Sequence, residues 1–252
     1  MKITILGCGS SGGVPLIGNN WGACDLANPR NRRTRVSVLM EEGDKTILVD
    51  ASPDMRAQLL ACGLQKLDAV LFTHAHADHC HGIDELRSVN WLMKKPIDIY
   101  ADPATMRELE NRFAYIFKGA TDKFYKPAVT AHEIGGAFGI GGIRVTPFAQ
   151  SHGNLVTLGF RLNDFAYSTD VNKLDEAAFA ALAGVKVWVV DCIREKPHPT
   201  HAHLDLALEW IARVKPKQAY LTHMNETLDY AALAAKLPPG VAPAYDGLEI
   251  EC

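Results

Sequence analysis

The chain has 252 residues, 48% of them hydrophobic and 22% charged, with a formal net charge of −3. That balance fits a soluble globular protein with a large core and excludes a general polyanion-binding surface. No apolar run approaches the roughly 18 residues that span a bilayer. Six cysteines without a CxxC pair point to reduced thiols and a cytoplasmic location rather than a disulfide framework. The opening run Met1-Lys2-Ile3-Thr4-Ile5-Leu6 is too short in its apolar part for a signal peptide. No composition break marks a linker, so a single domain over residues 1–252 is expected.

β-branched and apolar runs bounded by turn residues predict strands at 2–6, 36–40, 46–50, 69–73 and 97–101. Further strands are expected at 143–148, 155–162, 165–168, 185–192, 218–222 and 248–251. Helical spacing predicts helices at 53–62, 83–93, 104–116, 174–183, 204–214 and 230–237. Many strands with interspersed helices fit two packed sheets with helices outside.

The run His74-Ala-His76-Ala-Asp78-His79 carries the clearest chemistry. Imidazole and carboxylate both bind borderline divalent cations such as Zn²⁺ and Mn²⁺. On an extended segment His74 and His76 project to one side, and Asp78 and His79 follow after the chain turns. The simplest geometry places the first pair on one ion and the second pair on another. A two-ion centre needs about three protein ligands per ion and a bridging carboxylate. His152, Asp170 and His223 each follow or end a predicted strand. His152 completes the first ion, His223 the second, and Asp170 is the natural bridge. A lone histidine after a strand is commonly a plain polar residue, but the HxHxDH run demands downstream partners. A non-enzymatic carrier would require a missing ligand, and none is missing.

His201 and His203 stand in Pro-Thr-His-Ala-His-Leu before a predicted helix. One reading is a surface loop in which a histidine holds the first helical turn. The other is a general acid, because phosphoester hydrolysis needs a proton for the leaving oxygen. Asp78 has a second expected role, orienting reactants as well as binding.

The loop Gly7-Cys8-Gly9-Ser10-Ser11-Gly12-Gly13 formally matches GxGxxG but lacks a P-loop ending. It reads as a tight turn bringing backbone to the site, with amides of Ser10 to Gly13 available to an oxyanion. Arg30, Arg32, Arg33 and Arg35 read as a solvated loop with stem packing, or as one grip on a phosphate. Trp21, Trp91 and Tyr125 read as core or rim residues, with base stacking the alternative.

With these residues in hand, the chain resembles the metallo-β-lactamase superfamily. The signature is His74-x-His76-x-Asp78-His79, then His152, Asp170 and His223 in order. The likeness runs from Leu-Gly-Cys-Gly-Ser-Ser-Gly-Gly-Val-Pro at 6–15 to Tyr-Asp-Gly-Leu-Glu-Ile at 245–250. These ends, with Val-Val-Asp-Cys at 189–192 and Leu-Thr-His-Met at 221–224, are similar to one branch. It holds the accessory phosphodiesterases of the carbon–phosphorus lyase pathway. The resemblance implies a four-layer αββα sandwich with the metals at the edge between the sheets. It also implies hydrolysis of small phosphodiesters, such as ribosyl cyclic phosphates or 2′,3′-cyclic nucleotides. The attack would come from a hydroxide shared by two divalent ions, Zn²⁺ or Mn²⁺. By spacing, His201 matches the branch histidine near the leaving group better than His203. A homodimer is a family-level expectation; a membrane or a large nucleic acid is not an expected partner. One departure stands out. The branch's best-known enzyme has a cysteine-rich loop holding a structural zinc. Here that loop offers Cys24 alone, and Glu226 replaces the further histidine. One thiolate cannot build such a site, so no structural zinc is expected. Rival activities on this scaffold are thioester or lactam hydrolysis, or RNA 3′-end processing.

Overall fold

A computed structural model describes residues 1–119 and 126–252; Tyr125 lies outside them. The first sheet takes β1 (Lys2–Gly7), β2 (Ser37–Glu42), β3 (Lys45–Val49), β4 (Ala69–Leu71), β5 (Ile97–Ala101) and β6 (Val129–Glu133). The second takes β7 (Phe138–Ile140), β8 (Ile143–His152), β9 (Leu155–Leu162), β10 (Phe165–Ser168), β11 (Val187–Asp191), β12 (Gln218–Thr222) and β13 (Val241–Pro243). Strand β14 (Leu248–Glu251) returns to the first sheet beside β1. Each sheet has seven strands among the described residues, in the orders β14-β1-β2-β3-β4-β5-β6 and β13-β12-β11-β10-β9-β8-β7.

The sheets share one logic. Strands joined by short turns pair antiparallel, as in β2 to β3 and β7 to β10, and β1 pairs antiparallel with β2 across the long loop between Gly7 and Ser37. Strands separated by helical crossovers pair parallel, as in β3 to β6 and β10 to β13. The helices are α1 (Met55–Ala61), α2 (Ala77–Cys80), α3 (Leu86–Met93), α4 (Pro103–Arg112), α5 (Ala114–Lys118), α6 (Glu176–Leu182), α7 (Leu204–Val214) and α8 (Tyr230–Ala234).

Alternation along the strands builds the layers. In β3, Ile47 and Val49 join the core between the sheets with Val145, Phe160, Tyr167 and Val189. Leu48 points the other way, into a cluster with Met55, Leu59, Leu86, Val89 and Leu109 from the helices. On the far side, Leu204, Ala207, Trp210 and Ile211 of α7 cover the second sheet. The result is the four-layer αββα sandwich. Among the described residues no helix is long and apolar enough to cross a membrane.

The basic run resolves into separate roles. Arg30 stacks over Tyr230 and Tyr245, and Arg32 over Trp21. Arg35 pairs with Asp54 at 2.9 Å. Arg33 departs from the solvated-loop reading: it is 2% exposed. Its guanidinium donates to the carbonyls of Asn225 (3.1 Å) and Leu228 (2.6 Å) and to Asn31 Oδ1 (3.2 Å), beside Cys24. It ties the loop after β1 to the segment after β12. Arg33→Met is predicted to cost about 3 kcal/mol, because buried carbonyls lose their donors. Urea unfolding checks this, and an unchanged midpoint would refute it. Trp91 departs from the core reading as well, standing 84% exposed on α3.

Candidate metal centre

Parallel pairing puts the carboxyl ends of β3, β4, β10, β11 and β12 at one edge of the sandwich, where α/β sites form. Just beyond or at those ends stand Asp50, His74, Asp170, Asp191 and His223, and β8 ends on His152. The turn into α2 then brings round Asp78 and His79. A bond from Leu158 N–H to the Thr73 carbonyl, 2.9 Å, fastens β9 to the loop after β4.

The side chains converge in three overlapping groups, each with ligand atoms within 4.8 Å of one another. They are His74, His76, His152 and Asp170; Asp78, His79 and His223; and Asp170, His201 and His223. All seven sequence-predicted ligands fall in this cluster, and so does His201. His203 does not join it: it is the N-cap of α7, and its carbonyl receives the Ala207 N–H.

Hydrogen bonding fixes which ring nitrogen faces inward. Thr73 gives its N–H and hydroxyl to Asp50, both at 2.8 Å. The Thr73 oxygen can then only accept from His74 Nδ1, at 3.0 Å. His79 donates Nδ1–H to Asp50 at 2.7 Å, His152 to the Thr200 carbonyl at 2.7 Å, and His201 to Asp191 at 3.0 Å. In each ring Nε2 is left facing the cluster. Among the described residues, Nε2 of His74, His79 and His223 are buried without a hydrogen-bond partner. Buried polar atoms rarely stay unsatisfied, so this donor set fits divalent cations.

The backbone is strained where these groups sit. Asp50, Asp170 and His223 adopt left-handed φ of 63°, 52° and 58°. Non-glycine residues accept that conformation at a cost of order 1–3 kcal/mol when the surroundings enforce it. At His223 the enforcement is visible: Met224 N–H bonds the Cys8 carbonyl, and Ser10 N–H bonds the Met224 carbonyl. The glycine loop does bring backbone to the site. Its Ser10 and Gly13 amides are engaged there rather than open to an oxyanion.

Electrostatics inside the cluster are strongly coupled. Burial opposes ionisation of Asp170, but His223 and His79 hold its carboxyl well below the usual range. Burial likewise disfavours charged His223, yet Asp170 and Asp78 raise it to about 9. Burial, and His79 nearby, push His74 well below its ordinary value. A raised imidazole carries a proton that a cation must displace. Metal affinity is therefore predicted to increase as pH rises from about 6 towards 9, with proton release on binding. By linkage, protonated His223 stabilises the metal-free fold below its unfolded value, and that contribution is lost as pH rises through about 9. Calorimetric metal titrations across this window check the prediction; a pH-independent affinity would refute it.

Two carboxylates here were not anticipated from sequence. Asp50 anchors His79 and, through Thr73, His74. Asp191 anchors His201 and accepts from Val171 N–H at 3.0 Å. Asp50 follows β3 and Asp191 ends β11, each directly after a valine.

Comparison with known proteins gives the family and the fold. A family model described as the beta-lactamase superfamily domain matches residues 45–224. The crystal structure of a diphosphatase from the PhnP family superposes with a TM-score of 0.92 at 34% identity, covering 100% of this chain and 97% of that one. Zinc-bound PqqB from Methylobacterium extorquens shares the fold, with a TM-score of 0.79 at 22% identity over 100% of both chains. The octanoyltransferase of Porphyromonas gingivalis is 31% identical over 257 residues, 99% of this chain and 51% of that protein. The chain thus spans about half the length of that relative.

Proposed function

This chain belongs to the metallo-β-lactamase superfamily, in the PhnP-like branch, and from that premise we propose that it is a metal-dependent hydrolase of small phosphodiesters. Cyclic phosphates of ribosides and 2′,3′-cyclic nucleotides are the substrates put forward. The carrying observation is the convergence of seven ligand-type side chains whose inward Nε2 atoms at His74, His79 and His223 are buried and, among the described residues, without a hydrogen-bond partner. His74, His76 and His152 would hold one divalent ion and Asp78, His79 and His223 a second, with Asp170 between them. Bound there, Zn²⁺ or Mn²⁺ would supply Lewis acidity towards the phosphoryl oxygens and an activated water.

The protein's own groups do the rest. Asp50 and Thr73 orient His79 and His74 through their Nδ1 atoms. His201, held at Nδ1 by Asp191, presents Nε2 to the cluster, 3.9 Å from Asp170 Oδ1. From there it delivers a proton to the departing sugar oxygen. His76 is exposed and marks the open side of the centre. The net charge of −3 favours a small substrate over a long polyanion. The diphosphatase relative acts, by its name, on a bond that also links phosphorus through oxygen. Six unpaired thiols support a cytoplasmic location.

The test is a panel with metal-loaded protein: bis-p-nitrophenyl phosphate, a nucleoside diphosphate, a lactam and a glutathione thioester. Phosphodiester turnover above the others is expected. Turnover of the lactam or thioester without the phosphodiester would overturn the reading.

A further inference from the structure

Asp191 closes β11 and is completely buried. Its two oxygens face two different histidines. Oδ2 accepts from His201 Nδ1 and from Val171 N–H, each at 3.0 Å. Oδ1 has no hydrogen-bond partner among the described residues, and neither has His223 Nδ1, 3.9 Å away. The His201 and His223 rings lie stacked, 4.7 Å between centroids and 15° between planes. A complementary donor and acceptor, both buried and both unsatisfied, stand about one ångström beyond bonding distance.

We propose that Asp191 is a positioning residue shared by the proton donor and a metal ligand, orienting His201 through Oδ2 and His223 through Oδ1. The proposal rests on the reading of the cluster as a metal centre. His223 Nε2 already points inward, 3.4 Å from Asp170 and 3.5 Å from Asp78. A cation on Nε2 fixes the neutral tautomer with hydrogen on Nδ1, and that hydrogen needs an acceptor. Asp191 Oδ1 is the acceptor within reach. The bond from Val171 N–H, one residue past Asp170, ties the same carboxylate to the central ligand's backbone. One side chain therefore couples the central carboxylate, the ligand at the end of β12 and the proton donor before α7.

Asparagine at 191 separates these duties. Its single oxygen satisfies Val171 N–H and His201, leaving an NH₂ group against the His223 Nδ1–H, donor facing donor. Cobalt titrations followed by absorption and calorimetry would compare wild type, Asp191→Asn, His201→Ala and the double variant. Asp191→Asn is expected to weaken one of two metal equivalents by about 10-fold or more, in both backgrounds, and to alter the cobalt spectrum. His201→Ala alone should leave metal affinity within about twofold. Wild-type affinity and spectrum in Asp191→Asn would overturn the proposal. Should that variant fail to fold, nitrogen NMR of the imidazoles in zinc-loaded wild type decides. Protons on Nδ1 of both His201 and His223 are expected, and a bare or metal-bound Nδ1 on either overturns it. Metal binding is read without substrate. A failed phosphodiester assay with a weakened equivalent therefore retires the substrate reading alone.

Discussion

Replacing Asp170 by asparagine is expected to lower phosphodiester turnover by at least three orders of magnitude, about 4 kcal/mol of transition-state stabilisation. The reason is its position. Asp170 oxygens lie 3.0 Å from His79 Nε2, 3.4 Å from His223, 3.7 Å from His152, and 3.9 Å from both His74 and His201. Among the described residues no other carboxylate lies within 4 Å of all five rings. The carboxylate is the negative charge around which they assemble, and a neutral amide leaves cations at the centre with less counter-charge. The strained backbone at φ 52° is retained by asparagine, which tolerates that conformation better than most residues. Loss in this variant therefore reports charge rather than unfolding. Elemental analysis alongside kcat is the check. Full metal content with turnover within tenfold of wild type would contradict the account.

His201→Ala is expected to depress turnover by about 10²- to 10⁴-fold while leaving both ions in place. His201 is buried beside the cluster, and Asp191 holds its Nδ1. That contact fixes the ring with Nε2 facing the cluster, 3.9 Å from Asp170 Oδ1. The loss should shrink with a leaving group that departs readily as an anion, since proton delivery is the step removed. His201 also forms a possible ligand group with Asp170 and His223. Loss of an ion in the variant would therefore reassign it as a ligand.

The sequence was informative where physics acts locally. Strands at 97–101, 155–162, 165–168 and 218–222 are found with those same limits, because alternating or largely apolar runs bounded by turn residues leave little choice. Strands β6, β7 and β13 were missed. They lie at or next to sheet edges, are short, and include Thr-Ala-His-Glu, a central glycine and a terminal proline respectively. The helix expected over 104–116 breaks at Phe113, whose φ of −122° leaves the helical region between α4 and α5. α2 was hidden because three of its four residues belong to the ligand run itself.

The same rule governs the site. HxHxDH is legible because its members are adjacent, and it lends meaning to His152, Asp170 and His223. Asp50 meets His79 across 29 residues, and Asp191 meets His201 across 10, with no shared local pattern. Arg33 finds its carbonyl partners 192 and 195 residues downstream. In sequence it is one arginine among four; only the fold shows that it is buried.

The most direct test of the two-ion account is a metal add-back on chelator-treated protein, read as hydrolysis of 2′,3′-cyclic nucleotides and ribose cyclic phosphates. Activity should be absent without metal, rise on addition of Zn²⁺ or Mn²⁺, and saturate near two equivalents per chain. Saturation at one equivalent would contradict the two-ion centre, and no turnover of any phosphodiester at full loading would contradict the proposed function.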